Sequence, residues 1–204
     1  MLNSVAAQTI SVDLYLSISG AHESTIETIR DHGAKVHVFA RQAPLTQFQH
    51  YKLLCADLLS NQESVEDVWC MFTDDDDVWN ERRVEAYLYA IKSSVHDVVV
   101  CAGGRMHNGR LVESPIEYFE YAARFTLFKH FFDTARPALL ELRGCDLIWR
   151  NVLRSQLATV FRPFDTAGWL YWHETPEERM DQLWTYIGET KQGWQTYLRD
   201  TMRP

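Results

Sequence analysis

The chain has 204 residues, 46% of them hydrophobic, which is enough to bury one substantial core in a single domain. Its formal net charge of −8 disfavours nonspecific binding to nucleic acid or to an anionic membrane surface. No apolar run approaches membrane-spanning length, and residues 1–10 lack the charged start and long apolar centre of a signal peptide. We therefore expect a soluble, cytoplasmic protein without nucleic-acid partners.

The first half of the chain alternates predicted strands with predicted helices. Apolar patterns predict strands at residues 11–18, 34–40, 68–73 and 97–102. Helices are expected at residues 24–32, 46–59 and 81–93. The second helix begins with a capping box formed by Thr46 and Gln49. This order predicts an α/β fold with a mostly parallel sheet flanked by helices.

Past residue 103 the pattern changes, and we expect a smaller subregion there. Asn108 and Gly109 predict a two-residue hairpin turn within residues 105–113. An aromatic-rich segment from Pro115 to Phe132 is expected to be helical. Residues 139–148 are expected to form a short strand that leads into a turn or helix, and residues 158–162 another short strand. Helices are expected at residues 177–187 and 192–199.

Four consecutive aspartates, Asp74, Asp75, Asp76 and Asp77, follow the third predicted strand. Adjacent carboxylates raise each other's pKa unless a cation or hydrogen-bond donors compensate their repulsion. Mg²⁺ and Mn²⁺ prefer carboxylate oxygen, and Mg²⁺ commonly binds one or two carboxylates together with substrate phosphates. The run therefore predicts a metal site that holds a phosphorylated ligand at the carboxyl edge of the sheet. Helix capping accounts for only one or two of these acids, and a calcium loop is excluded because Trp79 stands where glycine is needed.

The four cysteines show no paired spacing and are predicted to be reduced. They lie at Cys55, Cys70, Cys101 and Cys145, three of them in apolar segments. Buried thiols are a better explanation than a zinc site or disulfides.

The segment from Trp69 to Val84, WCMFTDDDDVWNERRV, resembles the strand–DxD–helix element of nucleotide-sugar glycosyltransferases of the GT-A fold, particularly family 2-like enzymes. The order of elements is similar too, with the acidic motif after the third strand. The resemblance implies one GT-A-like domain in which residues 1–103 bind the nucleotide sugar and residues 104–204 bind the acceptor. A narrower similarity to the glycosyltransferase domain of large chlorella viruses implies a viral enzyme in the host cytoplasm.

The same resemblance implies an Mn²⁺- or Mg²⁺-dependent transfer of a sugar from a UDP donor to a hydroxyl of a glycan or glycoprotein, with inversion. Asp76 would be the main metal ligand and Asp74 the first acid of the DxD motif. Asp74 or Asp75 would accept hydrogen bonds from the ribose or base. Asp77 would contact the metal through water or cap the following helix.

The resemblance places the nucleoside near the end of the first strand, at Ser17 and Ser19. Arg41 stands where family 2 enzymes often carry an acid, which leaves base recognition open. Lys52, together with His50, would lie near the phosphates or on a solvated face.

An inverting transferase needs a carboxylate base to take the proton of the acceptor hydroxyl. By position in the family pattern, Asp181 is the first candidate and Asp146 the second, while a first-turn acid of a helix explains Asp181 equally well. His173 would be a third metal ligand or a polar loop histidine. The rings of Trp169, Tyr171 and Trp172 would stack on the acceptor sugar or pack in a core.

Two other readings of the acidic motif stay open. Asp74, Asp76 and Val78 match the DxDx(T/V) motif of haloacid-dehalogenase-type phosphatases, although in that class the motif follows the first strand. The other reading is a non-catalytic module that binds a metal or a sugar.

Overall fold

In the part of the chain that the structure describes, the fold consists of three groups of paired strands and the helices that flank them. The computed structural model describes residues 1–32, 35–61, 64–75, 77–101, 105–107, 110–112, 118–142, 144–156 and 160–161.

The first group is a parallel pair of strands, β1 (Asp13–Ser19) and β2 (Lys35–Arg41). Helix α2 (Glu23–Arg30) connects them, and a short helix that the sequence did not predict, α1 (Leu2–Ala6), precedes β1. Gly20 has a φ of 68°, a conformation that glycine adopts without strain, and it turns the chain at the end of β1. The register places Ser19 opposite Arg41, so the carboxyl ends of both strands meet as expected.

The second group has four strands in the order β3, β7, β4, β8. Their bounds are Trp69–Met71 for β3, Val98–Cys101 for β4, Tyr121–Arg124 for β7 and Val160–Phe161 for β8. Strand β7 runs antiparallel between β3 and β4, which therefore share one direction, and β8 is parallel to β4.

The aromatic-rich segment is only partly the helix that we predicted. A 3₁₀ turn at Tyr118–Glu120 leads into β7, and helix α5 begins at Phe125 and ends at Thr134. The helix prediction is wrong for residues 121–124 because these residues bond to strands on both sides and three of them are fully buried. Tertiary pairing outweighs the local helix preference of the two alanines.

The remaining helices are α3 (Gln47–Asn61), α4 (Arg83–Ser93), α6 (Pro137–Leu140) and α7 (Cys145–Ser155). The strand predicted at residues 139–148 is wrong, since it contains the end of α6 and the start of α7. Helix α7 buries residues at helical spacing, namely Cys145, Ile148, Trp149, Val152 and Leu153. The predicted hairpin is confirmed as β5 (Arg105–His107) antiparallel to β6 (Arg110–Val112), its turn residues lying outside the described part.

An aromatic core packs α3, α5 and α7 against the second sheet. Phe128 and Phe132 meet edge to face with 4.7 Å between ring centroids, and Trp149 lies 5.7 Å from Phe72. Such edge-on contacts are favoured by the ring quadrupoles. Because Phe72 immediately precedes Thr73 and the aspartates, this core fixes where the acidic segment begins.

The four cysteines are free thiols, as predicted. Within the described residues, no helix has the length and hydropathy that a bilayer crossing requires.

Candidate functional site

A cavity of about 1310 Å³ lies between the edges of β1 and β3. Every residue of the segments 12–19 and 68–75 lines it, so both strands face it along their lengths. At the carboxyl ends of these strands the lining is polar and consists of Ser17, Ser19, Gln47, His50, Asp74 and Asp75. Toward the amino ends the lining is mixed, with the apolar residues Met1, Leu2 and Val12 beside Asn3, Asp13 and His32. The polar end is where an α/β fold binds its ligand.

Ser17 and Ser19, the predicted nucleoside-binding residues, meet at one histidine. His50 Nδ1 lies 2.8 Å from the Ser17 hydroxyl, and His50 Nε2 lies 3.1 Å from the Ser19 hydroxyl. Partial burial, followed by the charge of Arg41, lowers the pKa of His50 below its usual value. At neutral pH the ring is therefore uncharged.

Arg41 contacts Ser17 but is not itself one of the residues that line the cavity. Its Nε donates to the Ser17 hydroxyl over 3.0 Å, and its NH2 forms an ion pair with Asp57. The charge of Arg41 is thus balanced within the protein, and Arg41 contacts the cavity lining through Ser17.

The acidic segment is held in a closed loop by its last residue. Asp77 is 3% exposed, and its carboxylate accepts the Asp74 N–H over 2.8 Å and the Thr73 hydroxyl over 3.1 Å. The N-cap of α4 is Arg82, so the expected capping role of Asp77 is wrong. Asp77 instead shapes the backbone that presents Asp74 and Asp75.

Asp74 is oriented by donors from two other elements. Gln47 Nε2 donates to Asp74 Oδ1 over 2.5 Å, and the Tyr118 hydroxyl donates to the same oxygen. Gln47 Nε2 also donates to the Tyr118 hydroxyl over 2.8 Å. The pKa of Tyr118 and that of Tyr51 are raised well above the usual value. Burial is the largest cause for both, and the charge of Asp74 adds to it. Both phenols therefore stay protonated, and Tyr118 keeps its proton to donate to Asp74.

Arg83 connects the start and the end of the acidic loop. It is 3% exposed and donates to the carbonyl oxygen of Phe72 over 3.3 Å and to that of Phe119. Its guanidinium lies 4.3 Å from the ring centroid of Trp79, whose Nε1 donates to the Thr73 hydroxyl over 2.9 Å. Arg83, the second arginine of the WNERR sequence, thus rigidifies the loop that carries the aspartates.

The two acids that line the cavity suit a hard cation. Asp74 and the exposed Asp75 are adjacent, and carboxylate oxygen is what Mg²⁺ and Mn²⁺ prefer. No group of three candidate ligands occurs within the part of the chain that the structure describes. Asp76 and His173, the other predicted ligands, lie outside that part. Two carboxylates completed by ligand phosphates match common Mg²⁺ coordination.

Two further predicted site residues that the structure describes, Lys52 and Asp146, do not line the cavity. Lys52 is exposed on α3, because two residues of helix rotate it about 200° away from His50. Asp146 lies half-buried in the first turn of α7, outside the cavity lining, and its charge contributes to the raised pKa of Tyr51. Asp181, Trp169, Tyr171 and Trp172 lie outside the described residues.

Several cavity residues on α3 were missed by the sequence reasoning. They are Gln47, Tyr51, Leu54 and Leu58, which together with His50 line the cavity at spacings of three and four residues. That spacing is the signal of one helix face, and it could have identified Gln47 and separated His50 from Lys52.

Comparison with known proteins gives likeness in structure alone. No protein-family profile and no curated protein sequence matches the chain. The structure of S. aureus TarS residues 1–349 in complex with UDP-GlcNAc superposes with a TM-score of 0.65 at 15% identity, over 86% of this chain and 54% of that one. The complex of S. aureus TarS 1–349 with UDP gives 0.62 at 15% identity, over 90% and 58%. A structure of S. aureus TarS gives 0.62 at 15% identity, over 93% and 36%.

This likeness confirms the predicted fold class, a mixed α/β fold. At 15% identity it concerns the fold alone. The chain spans about half of the length of the TarS 1–349 structures that it matches.

Proposed function

We propose that this chain is a metal-dependent glycosyltransferase that moves a sugar from a UDP donor to a hydroxyl of a glycan or glycoprotein. One observation carries the proposal: the serines that end β1 and the acidic segment after β3 line one cavity. Support comes from the likeness in fold to S. aureus TarS, whose structures include complexes with UDP-GlcNAc and with UDP.

In this proposal Asp74 and Asp75, together with Asp76, hold the diphosphate through Mn²⁺ or Mg²⁺. When bound, the cation neutralises the charge that develops on the leaving diphosphate. Gln47 and Tyr118 fix the direction of the Asp74 carboxylate, so little reorganisation is needed as that charge develops. Ser17 and Ser19 contact the nucleoside at the other side of the polar end.

The transfer breaks the bond between the anomeric carbon and the diphosphate oxygen and forms a bond to the acceptor oxygen. A carboxylate takes the acceptor's proton, and the candidates are still Asp181 and Asp146. Inversion, an acceptor-binding role for residues 104–204 and the narrower viral resemblance stay predictions.

The phosphatase alternative is less well supported by the position of the acids. They follow the third strand, which lies at the edge of its sheet, whereas the phosphatase motif follows the first strand of its domain. A non-catalytic module would bind the same nucleotide without transfer. Hydrolysis of UDP-sugars with Mn²⁺, measured beside phosphate release from phosphomonoesters, separates the three functions.

The first prediction concerns metal dependence. UDP should bind at least tenfold more tightly with Mn²⁺ than with EDTA, because the acids and the diphosphate repel each other without a cation. Asp74→Asn should remove most of this difference, as measured by isothermal titration calorimetry.

The matched control is Asp133→Asn, which changes an exposed aspartate on α5 outside the cavity lining. It should keep the full effect of Mn²⁺. Equal affinity for UDP in Mn²⁺ and EDTA would contradict the metal-dependent function.

A further inference from the structure

We infer that the Ala43 carbonyl fixes the hydrogen-bond polarity of Ser19 and, through His50, that of Ser17, so that both hydroxyls offer only acceptor lone pairs to the ligand. The ligand group that bonds to Ser17 is then a hydrogen-bond donor, either a ribose hydroxyl or a base N–H. The inference rests on the proposed function for the identity of the ligand, while the polarity of the serines follows from protein contacts alone.

The hydroxyl proton of Ser19 already has an acceptor within the protein. Ser19 Oγ lies 2.8 Å from the carbonyl oxygen of Ala43, which can only accept. Ser19 must therefore donate there and accept from His50 Nε2 at 3.1 Å. His50 Nε2 accordingly carries a proton.

The proton on Nε2 determines the state of the other ring nitrogen, Nδ1. A neutral imidazole with a proton on Nε2 has an unprotonated, accepting Nδ1. The Ser17 hydroxyl, 2.8 Å away, donates to Nδ1 and accepts from Arg41 Nε at 3.0 Å. A hydroxyl has one proton and two lone pairs, so each serine keeps one lone pair for the ligand.

Protonation of His50 would reverse the direction of its hydrogen bond with Ser17 but not of its hydrogen bond with Ser19. An imidazolium donates from both nitrogens, so Ser17 would accept from His50 and from Arg41, and its own proton would turn toward the cavity. The charged groups around His50 are Arg41 with its ion-pair partner Asp57, and Asp74 and Asp75 along the cavity wall. Since partial burial and Arg41 lower the pKa of His50, the reversal is expected only in acid, below pH 6.5.

The tautomer is tested in the ligand-free protein. Nitrogen-15 NMR of the imidazole of His50 at pH 7.5 should show a protonated Nε2 and an unprotonated Nδ1. A proton on Nδ1, or a charged ring at that pH, overturns the inference whether or not a nucleotide binds.

The recognition is tested with UDP analogues that remove one donor each. We compare UDP with its N3-methyl, 2′-deoxy and 3′-deoxy analogues at pH 7.5 in the presence of Mn²⁺. One analogue should bind about tenfold more weakly, the loss of one hydrogen bond, and which one it is distinguishes the base N–H from the ribose hydroxyls. Because all carry the same diphosphate, the ratio of affinities cancels effects of pH on phosphate binding.

For the ligand group that bonds to Ser17, the ratio of the Kd of the analogue to the Kd of UDP should fall toward one as the pH drops through the pKa of His50. A contact with Ser19 should not depend on pH in this way, because Ala43 fixes the polarity of Ser19. In His50→Phe, which removes both ring nitrogens, the ratio for the group at Ser17 should stay near one at every pH, whereas His130→Phe, at an exposed histidine on α5, should behave as wild type. A ratio near one for all analogues at pH 7.5, or ratios that are independent of pH for all analogues in wild type, overturns the inference. Failure of UDP itself to bind overturns the proposed function instead, and the NMR result then decides the polarity of the serines.

Discussion

Two adjacent arginines, Arg82 and Arg83, have opposite surroundings although their sequence context is the same. Arg82 is partly exposed and pairs with Glu85 three residues on, over 2.8 Å. Arg83 is buried, bonds to the carbonyl oxygens of Phe72 and Phe119, and stacks on Trp79. Arg82 is the N-cap of α4 and Arg83 is the first residue of the helix, and their side chains point in different directions, one toward solvent and the other toward the acidic loop.

We predict that Arg83→Met lowers the free energy of unfolding by about 2–4 kcal/mol, since buried carbonyl oxygens lose a charged donor. Urea denaturation measures the loss. Arg82→Met is the control and should leave the denaturation midpoint nearly unchanged, because an exposed ion pair contributes little. Equal losses of stability from the two substitutions would contradict the stabilising role that we assign to the buried contacts of Arg83.

Single residues of the site were predictable where chain position alone decides the outcome. Ser17, Ser19 and Asp74 follow strands, and strand ends of one direction converge, so they line one cavity. The role of Asp77 was not predictable, because four identical residues in a row give no sign of which one turns inward. Its burial depends on donors that the loop itself supplies, the Asp74 N–H and the Thr73 hydroxyl.

Helix α3 begins with the capping box that the sequence predicts, and this capping box also connects α3 to a second helix, α6. Gln49 Oε1 accepts the Thr46 N–H over 2.8 Å, and Thr46 Oγ1 accepts the Gln49 N–H over 3.3 Å. The same hydroxyl donates to the carbonyl oxygen of Leu140 over 2.5 Å. The capping box therefore also ties the start of α3, with Gln47 of the site, to the end of α6.

Thr46→Ala should reduce the free energy of unfolding by about 1–2 kcal/mol, the usual loss of an N-cap hydroxyl. Ser60→Ala, in the exposed last turn of α3, removes a hydroxyl whose bond among the described residues is to the carbonyl oxygen of Ala56 in its own helix. It should change stability by less than about 0.5 kcal/mol in the same thermal or urea measurement. A smaller loss from Thr46→Ala than from Ser60→Ala would show that the cap does not stabilise α3.

The elements divide clearly into those that local sequence determines and those that it does not. Strands β1 to β4 and helices α2 to α4 were predicted within a few residues, because each carries its own apolar pattern. Strand β7 was missed because its strand character comes from the neighbours β3 and β4 on either side. For helix α7 we expected only a turn or helix after a short strand, although residues 145–155 carry a helical pattern that gives its full extent.

For the whole molecule, buried ionisable groups predict how stability changes with pH. Burial raises the pKa of Cys55 to about 11, of Cys70 to about 12 and of Cys101 to about 12, from 9.0. A raised pKa gives stability that is fully present below the unfolded value and is lost as pH rises toward the folded value. The chain should therefore lose stability progressively above about pH 9.

Cys101→Ala tests this with a matched neighbour. Between about pH 9 and 11 each such thiol is ionised only in the unfolded state, so each adds about 1.4 kcal/mol per pH unit to the downward slope. Cys101→Ala should remove one such contribution, as measured by urea denaturation at several pH values. Val100→Ala, at the adjacent and equally buried position of β4, should lower stability at every pH through its cavity and leave the slope unchanged. If both variants keep the wild-type slope, Cys101 ionises as readily in the folded protein as in the unfolded chain. That result would contradict the burial of the Cys101 thiol in β4.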